Sequence, residues 1–275
     1  MLKNKLYSLI VCALVLLTAC GEYQKVLNKG TVAEQYKMAT DMYENQKFNK
    51  AIQLFEKITP SYRSKPQMER IQYMVAQSHY NTKQYSLAAY YFDKFVKNYP
   101  KSSKVEEAAY LSAHSYYLSS PVFSLDQKDT QEAISSLQNF IYKYPDSERV
   151  VDANSHIKEL NLKLEKKSFE IAWQYYHTED YIAAIIAFDN FLSDHLGTEL
   201  KEKALYYRFK AANALGIQSI FSKKEERIRD ALKYYQRFQR SYPASTYIAE
   251  MGQLAGVLEN ELNSVLTLKN GNNGL

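Results

Sequence analysis

The chain has 275 residues, is 46% hydrophobic and contains 25 Tyr and 12 Phe, but only eight Gly and six Pro, which supports a large folded domain. Without residues 1–19, which include Lys3 and Lys5, the formal net charge falls from +5 to +3. Such a near-neutral balance gives no reason to expect nucleic-acid binding or general binding to anionic lipids.

Residues 1–19 have the pattern of a secretory signal peptide. Two lysines precede an apolar run from Leu6 to Leu17, and the small residues Thr18 and Ala19 follow it. In a helix this run would rise about 18 Å, well short of the roughly 30 Å hydrocarbon core. We therefore predict a cleaved signal rather than a permanent transmembrane span.

The sequence Leu17-Thr18-Ala19-Cys20 resembles a bacterial lipobox. The resemblance implies cleavage before Cys20 and acylation of its thiol and its new amino group, and two or more acyl chains anchor a protein stably. The alternative is an ordinary signal peptide with a chance cysteine near its end. Because Cys12 leaves with the signal and Cys20 takes the lipid, the mature chain has no thiol for a disulfide, a metal or a nucleophile. We predict a lipidated tether over residues 20–30.

One helical pattern then occurs five times. Each copy has a small Ala, apolar residues four and seven positions later, and a ring eleven positions later; the copies begin at Ala51, Ala88, Ala133, Ala184 and Ala231. These positions lie on one face of a helix, and Pro100, Pro145 and Pro243 end three of the copies. The preceding helices carry small residues at Ala39, Ala76 and Ala113. The pattern therefore predicts pairs of packed helices.

This pattern resembles the tetratricopeptide repeat (TPR), a pair of antiparallel helices with small residues where they cross. The key alanines are 37, 45, 51 and 47 residues apart, longer than the usual spacing of about 34. We assign the excess to inserts at Ser119–Gln127 and Gly216–Lys224 and to a long helix from about Val150 to Thr178. The predicted fold is all-α: a superhelix of about five TPR-like hairpins with a C-terminal capping helix.

The predicted domain organisation follows from the repeats. Repeats one to three occupy residues 31–148, repeats four and five with the capping helix occupy 149–268, and a disordered tail occupies 269–275. We expect hydroxyl side chains to cap the helices that follow the repeat ends, at Ser102, Ser147, Thr198 and Ser245. Ser103 with Glu106 also fits a capping box.

No arrangement of residues points to catalysis. The five histidines are scattered without the spacing of paired metal ligands, and no glycine-rich phosphate loop occurs. We predict a non-enzymatic protein with no cofactor and no metal site.

The first two repeats carry more aromatic surface than the seams of two hairpins need, at Tyr36, Tyr43, Phe48, Tyr73 and Tyr80. Tyr is well suited to protein interfaces, because it buries a large area and keeps a hydroxyl for hydrogen bonding. An extended peptide ending in an aromatic residue could dock among these rings. The alternative is ordinary amphipathic packing.

A lipobox followed by five helical hairpins is similar to the BamD family of outer-membrane β-barrel assembly lipoproteins. The stretches that carry the resemblance are Cys20–Leu27, Tyr85–Pro100, Leu125–Thr130 and Tyr175–Thr198. The resemblance implies a location on the periplasmic face of the outer membrane. It also implies binding to the BamA insertase and, through the N-terminal repeats, to C-terminal segments of unfolded barrel proteins.

Three lysines of the long helix are candidates for the insertase contact. Lys163, Lys166 and Lys167 share one helical face, and Lys163 aligns with a basic residue that in the family pairs with an acid on BamA. The alternative is a solvated helix face. Two other functions remain open: an adaptor for cell-wall or cell-division enzymes, and a glycan-capturing repeat lipoprotein, although such lipoproteins are longer and carry a large insertion.

Overall fold

The structure, a computed structural model, describes residues 21–272, with side chains as far as Asn270. The predicted signal peptide, Cys20 and the last three residues lie outside the described residues. Within the described range the chain forms twelve helices and no strand. The all-α class predicted from the sequence is therefore confirmed.

The helices, in chain order, are α1 (21–29), α2 (Val32–Glu44), α3 (Phe48–Tyr62), α4 (Gln67–Asn81), α5 (Tyr85–Asn98), α6 (Val105–Ser119), α7 (Lys128–Lys143), α8 (Val150–His177), α9 (Tyr181–Asp194), α10 (Lys201–Ile217), α11 (Phe221–Ser241) and α12 (Ile248–Asn272). From α2 onwards successive helices pair into five hairpins, and α12 packs on α10 and α11. The predicted hairpins, the long helix near Val150 and the C-terminal helix are confirmed.

The chain divides into two compact units, and the boundary lies between Leu160 and Asn161, inside α8. Unit 1 holds the first three hairpins and the first part of α8. Unit 2 holds the rest of α8, with α9 to α12. The first part of α8 packs on α6 and α7 through Ala153 and Leu160, and the later part packs on α9 and α10 through Phe169 and Ala172.

The repeat pattern marks the buried core. All five key alanines are completely buried, and so are Phe55, Phe92, Leu137 and Phe188 four positions after them. A small side chain at the key position lets two helices approach closely, and the larger apolar residues fill the space between successive hairpins. This burial is the main source of stability in both units.

The hydroxyls after the repeat ends stabilise turns rather than helix N-termini. Their oxygens accept hydrogen bonds from the backbone N–H two residues later, over 2.9–3.3 Å; the four residues are Ser102, Ser147, Thr198 and Ser245. Each following helix starts one residue beyond that N–H. The predicted capping box is also wrong, because the N-cap of α6 is Lys104 without a side-chain cap, and Glu106 binds Ser147 instead.

Three segments are more helical than predicted. Residues 21–29, expected to be a tether, form α1, in which Tyr23 is buried. Most of the Gly216–Lys224 insert is helical, because α10 continues to Ile217 and α11 begins at Phe221. The helix α12 continues to Asn272, past the predicted start of the tail at Lys269. In the Ser119–Gln127 insert, residues 120–127 form a loop. The Gln127 amide closes this loop by donating to the carbonyls of Val122 and Leu125.

No helix among the described residues is long and apolar enough to cross a membrane.

Candidate functional site

A groove of about 420 Å³ opens in unit 1 where α2, α4, α5 and the start of α6 come together. It contains two of the aromatic residues that the sequence singled out, Tyr43 and Tyr73. The other residues that line it are Pro66, Glu69, Arg70, Met74, Phe95 and Lys104. The first hairpin, the second hairpin and the start of the third therefore contribute to one apolar surface with charged edges.

Tyr73 connects the groove to the core of the second hairpin. Its ring packs edge-on against Phe95 and Phe92, with centroids 5.4 Å and 6.1 Å away. Burial, and then the negative charge of Glu107, raise the pKa of Tyr73 well above its usual value. The hydroxyl therefore stays protonated and donates a hydrogen bond to the Glu107 carboxylate. This hydrogen bond and the two ring contacts hold the Tyr73 ring in one position.

Tyr43, on α2, also lines the groove. Its ring is half-buried and meets Phe48 edge-on, with centroids 5.8 Å apart. Burial, and then the charge of Glu107, raise the pKa of Tyr43. Both tyrosines are therefore neutral near pH 7, and the groove presents ring surface with hydroxyls at the edge.

Charged groups of both signs surround the aromatic walls. The Lys104 ammonium lies 5.6 Å from the centre of the Tyr73 ring and 2.8 Å from a Glu107 oxygen. Burial opposes ionisation of Glu107, but hydrogen bonds from Lys104 and Tyr73 outweigh it and lower the pKa of Glu107. On the α4 side, the exposed Arg70 lies 3.6 Å from Glu44. An exposed ion pair of this kind is weak and exchanges readily for another carboxylate.

This arrangement can bind an apolar or aromatic side chain next to a carboxylate. The ring would stack between Tyr43 and Tyr73 over Met74 and Phe95, where it would be removed from water. The guanidinium of Arg70 could bind both oxygens of a carboxylate, a geometry that Lys cannot match. A peptide segment with an aromatic residue near its C-terminus has this chemistry.

The remaining predicted aromatic residues do not line the groove. Tyr36 lies on α2 with its ring 5.3 Å from that of Tyr62. The Tyr80 hydroxyl is 2.7 Å from Nδ1 of His114. Phe48 reaches the groove only through its contact with Tyr43. Of the five predicted residues, the structure therefore brings only Tyr43 and Tyr73 together in this groove.

Sequence reasoning missed the charged part of the groove. Arg70 and Lys104 fall outside the repeated apolar positions, so the pattern carries no signal for them. Phe95 occupies a repeat position and was predicted to be core, whereas Met74 lies outside the repeat pattern. Both are buried, and both are among the residues that line the groove.

The three predicted lysines lie in unit 2, on the continuous helix α8, so Lys163, Lys166 and Lys167 do share one side of it. Lys166 is exposed, and Lys163 and Lys167 are half-buried. Within residues 21–272, no group of three His, Cys, Asp or Glu side chains could hold a metal ion.

Comparisons with known proteins give one family match. Residues 28–228 match the family described as YfiO, outer membrane lipoprotein. Curated proteins give no match. Among solved structures, the yeast Sti1 TPR2AB domain in its pHSP90 complex has a TM-score of 0.39 and 14% identity, and the alignment covers 87% of this chain and 95% of that one.

Two structures of nearly identical TPR-like repeats from Podosopora anserina give TM-scores of 0.32 and 0.31. Their identities are 14% and 13%, over 76% and 78% of this chain and 96% and 97% of theirs.

Proposed function

The chain belongs to the YfiO family of outer membrane lipoproteins, and from this premise we propose that it is a non-enzymatic scaffold of the machinery that assembles β-barrel proteins in the outer membrane. The observation that carries the proposal is the family match from residue 28 to residue 228. The predicted signal peptide and lipobox over the first twenty residues support it. The scaffold is anchored through acylated Cys20 and faces the periplasm. It acts by binding its protein partners and positioning them, without catalysing a reaction.

Its first ligand is the C-terminal segment of an unfolded barrel protein, bound in the groove of unit 1. The aromatic walls at Tyr43 and Tyr73 suit an apolar side chain, and Arg70 suits a carboxylate. An extended peptide keeps its backbone free for hydrogen bonds while alternate side chains enter pockets, which allows many related segments to bind.

Its second partner is the BamA insertase, bound through the periplasmic domains of that protein. The contact surface is the basic side of α8 with Lys163, Lys166 and Lys167. Because this surface lies in unit 2 and the groove lies in unit 1, substrate and insertase use separate parts of the chain.

The test is site-specific crosslinking in the full-length, membrane-bound protein. A photo-crosslinking residue at Glu69, which lines the groove, should capture a barrel-protein C-terminal peptide. The same residue at Tyr142, which is 86% exposed on α7, is the matched control and should not. Equal capture at the two positions, or capture at Tyr142 alone, would contradict the binding of the substrate in the groove of unit 1. Co-purification with cell-wall enzymes and without BamA would contradict the scaffold function as a whole.

A further inference from the structure

The helix α1 is fixed to the first hairpin at its start. Tyr23 is 4% exposed, and its hydroxyl donates to Oε1 of Gln53 over 2.8 Å and lies 3.2 Å from the carbonyl of Lys50. The Lys50 ammonium lies 4.9 Å from the centre of the Tyr23 ring. A buried ring with a hydrogen-bonded hydroxyl fixes both the position and the rotation of the helix.

The end of α1 is fixed as well. The buried amide of Gln35 donates to the carbonyls of Val26 and Leu27, over 3.2 Å and 3.1 Å. Lys57 donates to the same Leu27 carbonyl. At Gly30 the backbone turns so tightly that a Cβ would lie 2.5 Å from the Val26 oxygen, so only glycine fits. These contacts satisfy the carbonyls that a helix end leaves open.

This packing sets a short distance between the lipid and the fold. A free tether over residues 20–30 could span roughly 36–40 Å when extended. Because Tyr23 is already packed against α3, only the three peptide steps from Cys20 to Tyr23 remain, and they span at most about 11 Å. A lipid on Cys20 therefore brings α1 and the first hairpin to the membrane surface.

The side of α1 that faces away from the hairpin is polar and carries two exposed lysines, Lys25 and Lys29. Lys50 and Lys57 reach α1 from α3, α1 itself carries one acid, Glu22, and Glu34 follows in the first turn of α2. Lysines outnumber acids here, and lysines close to a bilayer are attracted by anionic headgroups. The net charge of the whole chain is too small to attract it to a membrane. These lysines therefore contact headgroups only after the lipid anchor has brought α1 to the bilayer.

We propose that α1 is a rigid collar that holds the first hairpin directly against an anionic phospholipid surface, with Lys25 and Lys29 at the headgroups. The collar rests on the acylation of Cys20 that forms part of the proposed function. It means that the substrate groove in unit 1 is presented at a fixed height above the bilayer instead of moving on a loose tether.

The first test measures how close α1 lies to the headgroups. The full-length lipidated protein is reconstituted in vesicles of phosphatidylethanolamine and phosphatidylglycerol, with a spin label at Asn28→Cys on the exposed side of α1 and a control label at Tyr142→Cys on α7. Collisions with a nickel-chelating lipid headgroup should be at least fivefold more frequent at residue 28. Equal frequencies at the two positions would overturn the collar.

The second test breaks the link between α1 and the hairpin. With the label at the exposed Asn49→Cys of α3, the Tyr23→Ala variant should reduce the collision frequency to that of residue 142. Tyr23→Phe keeps the ring and should reduce it by less than twofold. Six Gly and Ser residues inserted between Glu22 and Tyr23 leave the packing intact and should have the same effect as Tyr23→Ala. A frequency unchanged by the insertion would overturn the rigid link.

The third test concerns the lysines and the anchor. The double variant Lys25→Gln, Lys29→Gln should lower the collision frequency at residue 28 at least twofold in the anionic vesicles, and should have no effect in phosphatidylcholine vesicles. An equal change in collision frequency in both lipids would overturn the contact with an anionic lipid surface. So would a photo-crosslinking residue at position 28 that captures a protein instead of lipid in native membranes. Mass spectrometry of the N-terminal peptide separates the two proposals: an unmodified Cys20 contradicts the anchor, whereas an acylated protein with a distant α1 contradicts only the collar.

Discussion

The ring of Tyr73 lies edge-on against Phe95, 5.4 Å from centre to centre at 65°, so one side chain belongs to both the core and the groove. Tyr73→Ala should weaken binding of a barrel-protein C-terminal peptide by about tenfold or more, equal to at least ~1.4 kcal/mol. Fluorescence anisotropy of a labelled peptide measures this loss.

Tyr73→Phe is the matched variant, because it keeps the ring and removes the hydrogen bond to Glu107. It should bind the peptide within about threefold of the wild type, if ring surface drives binding. Equal losses in the two variants would mean that the hydroxyl, and not the ring, contacts the ligand.

The second prediction concerns the helix crossing at Ala88, which is completely buried. Ala88→Arg forces a long charged side chain into a closely packed space and should lower the free energy of unfolding by more than ~3 kcal/mol. The neighbouring Leu87 is 46% exposed, and Leu87→Arg should change the free energy of unfolding by less than about 0.5 kcal/mol. Urea unfolding followed by circular dichroism compares the two variants, and equal midpoints would show that the repeat register is wrong.

The core could be predicted from the sequence because its pattern of residues repeats. Ala88, Phe92 and Phe95 recur at fixed offsets, and offsets on one helical face translate directly into burial. Local propensity also explains what was missed after Ile220: the charged residues that follow it favour helix, so the expected insert became the first turns of α11.

Contacts between residues that are far apart in the sequence could not be predicted in this way. The docking of α1 depends on a bond from Tyr23 to Gln53, thirty positions away, in a segment with few apolar residues. The charged edge of the groove combines Arg70 of α4 with Lys104 before α6, and only the packing of the hairpins brings these residues together. Such pairings leave no periodic signal in a single sequence.

The third prediction concerns pH. His114 lies 2.7 Å from the Tyr80 hydroxyl, with its ring stacked 4.9 Å from that of His156; Tyr110, Tyr117 and Asp152 also face it. Burial, and then the neighbouring His156, lower the pKa of His114 below its usual value. The unfolded chain therefore binds the proton more tightly, and stability should fall as the pH drops below about 6.5.

Replacing His114 should weaken this dependence without abolishing it, because burial also lowers the pKa of His79. His114→Gln should make the free energy of unfolding less steep between pH 6.5 and 5, by at most about 1.4 kcal/mol per pH unit. Urea titrations at several pH values give the slopes, and an unchanged slope in His114→Gln would show that this histidine does not titrate on unfolding.

The fourth prediction concerns the anchor. Cys20→Ala should abolish acylation and leave uncleaved or soluble protein, because no other cysteine remains after the signal is removed. Cys12→Ala changes a residue of the predicted signal peptide, and this variant should be processed normally. Mass spectrometry and membrane fractionation report both outcomes. An unmodified Cys20 thiol in membrane-bound wild-type protein would disprove the anchor.

The last prediction concerns the insertase contact on α8. If Lys163 forms a desolvated pair with an acid of BamA, breaking the pair from one side costs about 2–5 kcal/mol, whereas an exposed pair at the rim contributes at most ~1 kcal/mol. Lys163→Glu should therefore weaken binding to the BamA periplasmic domains at least thirtyfold, and Lys223→Glu, at an exposed position on α11, should change it less than threefold.

Salt and a compensating change distinguish a contact from a general charge effect. The loss in Lys163→Glu should persist at high ionic strength, because a buried pair is poorly screened. Reversal of the acid on the partner should restore binding to the charge-swapped pair and to no other combination. A loss under threefold in Lys163→Glu, equal to that of Lys223→Glu, would instead identify this side of α8 as a solvated helix face, since solvated charges contribute little once water and salt screen them.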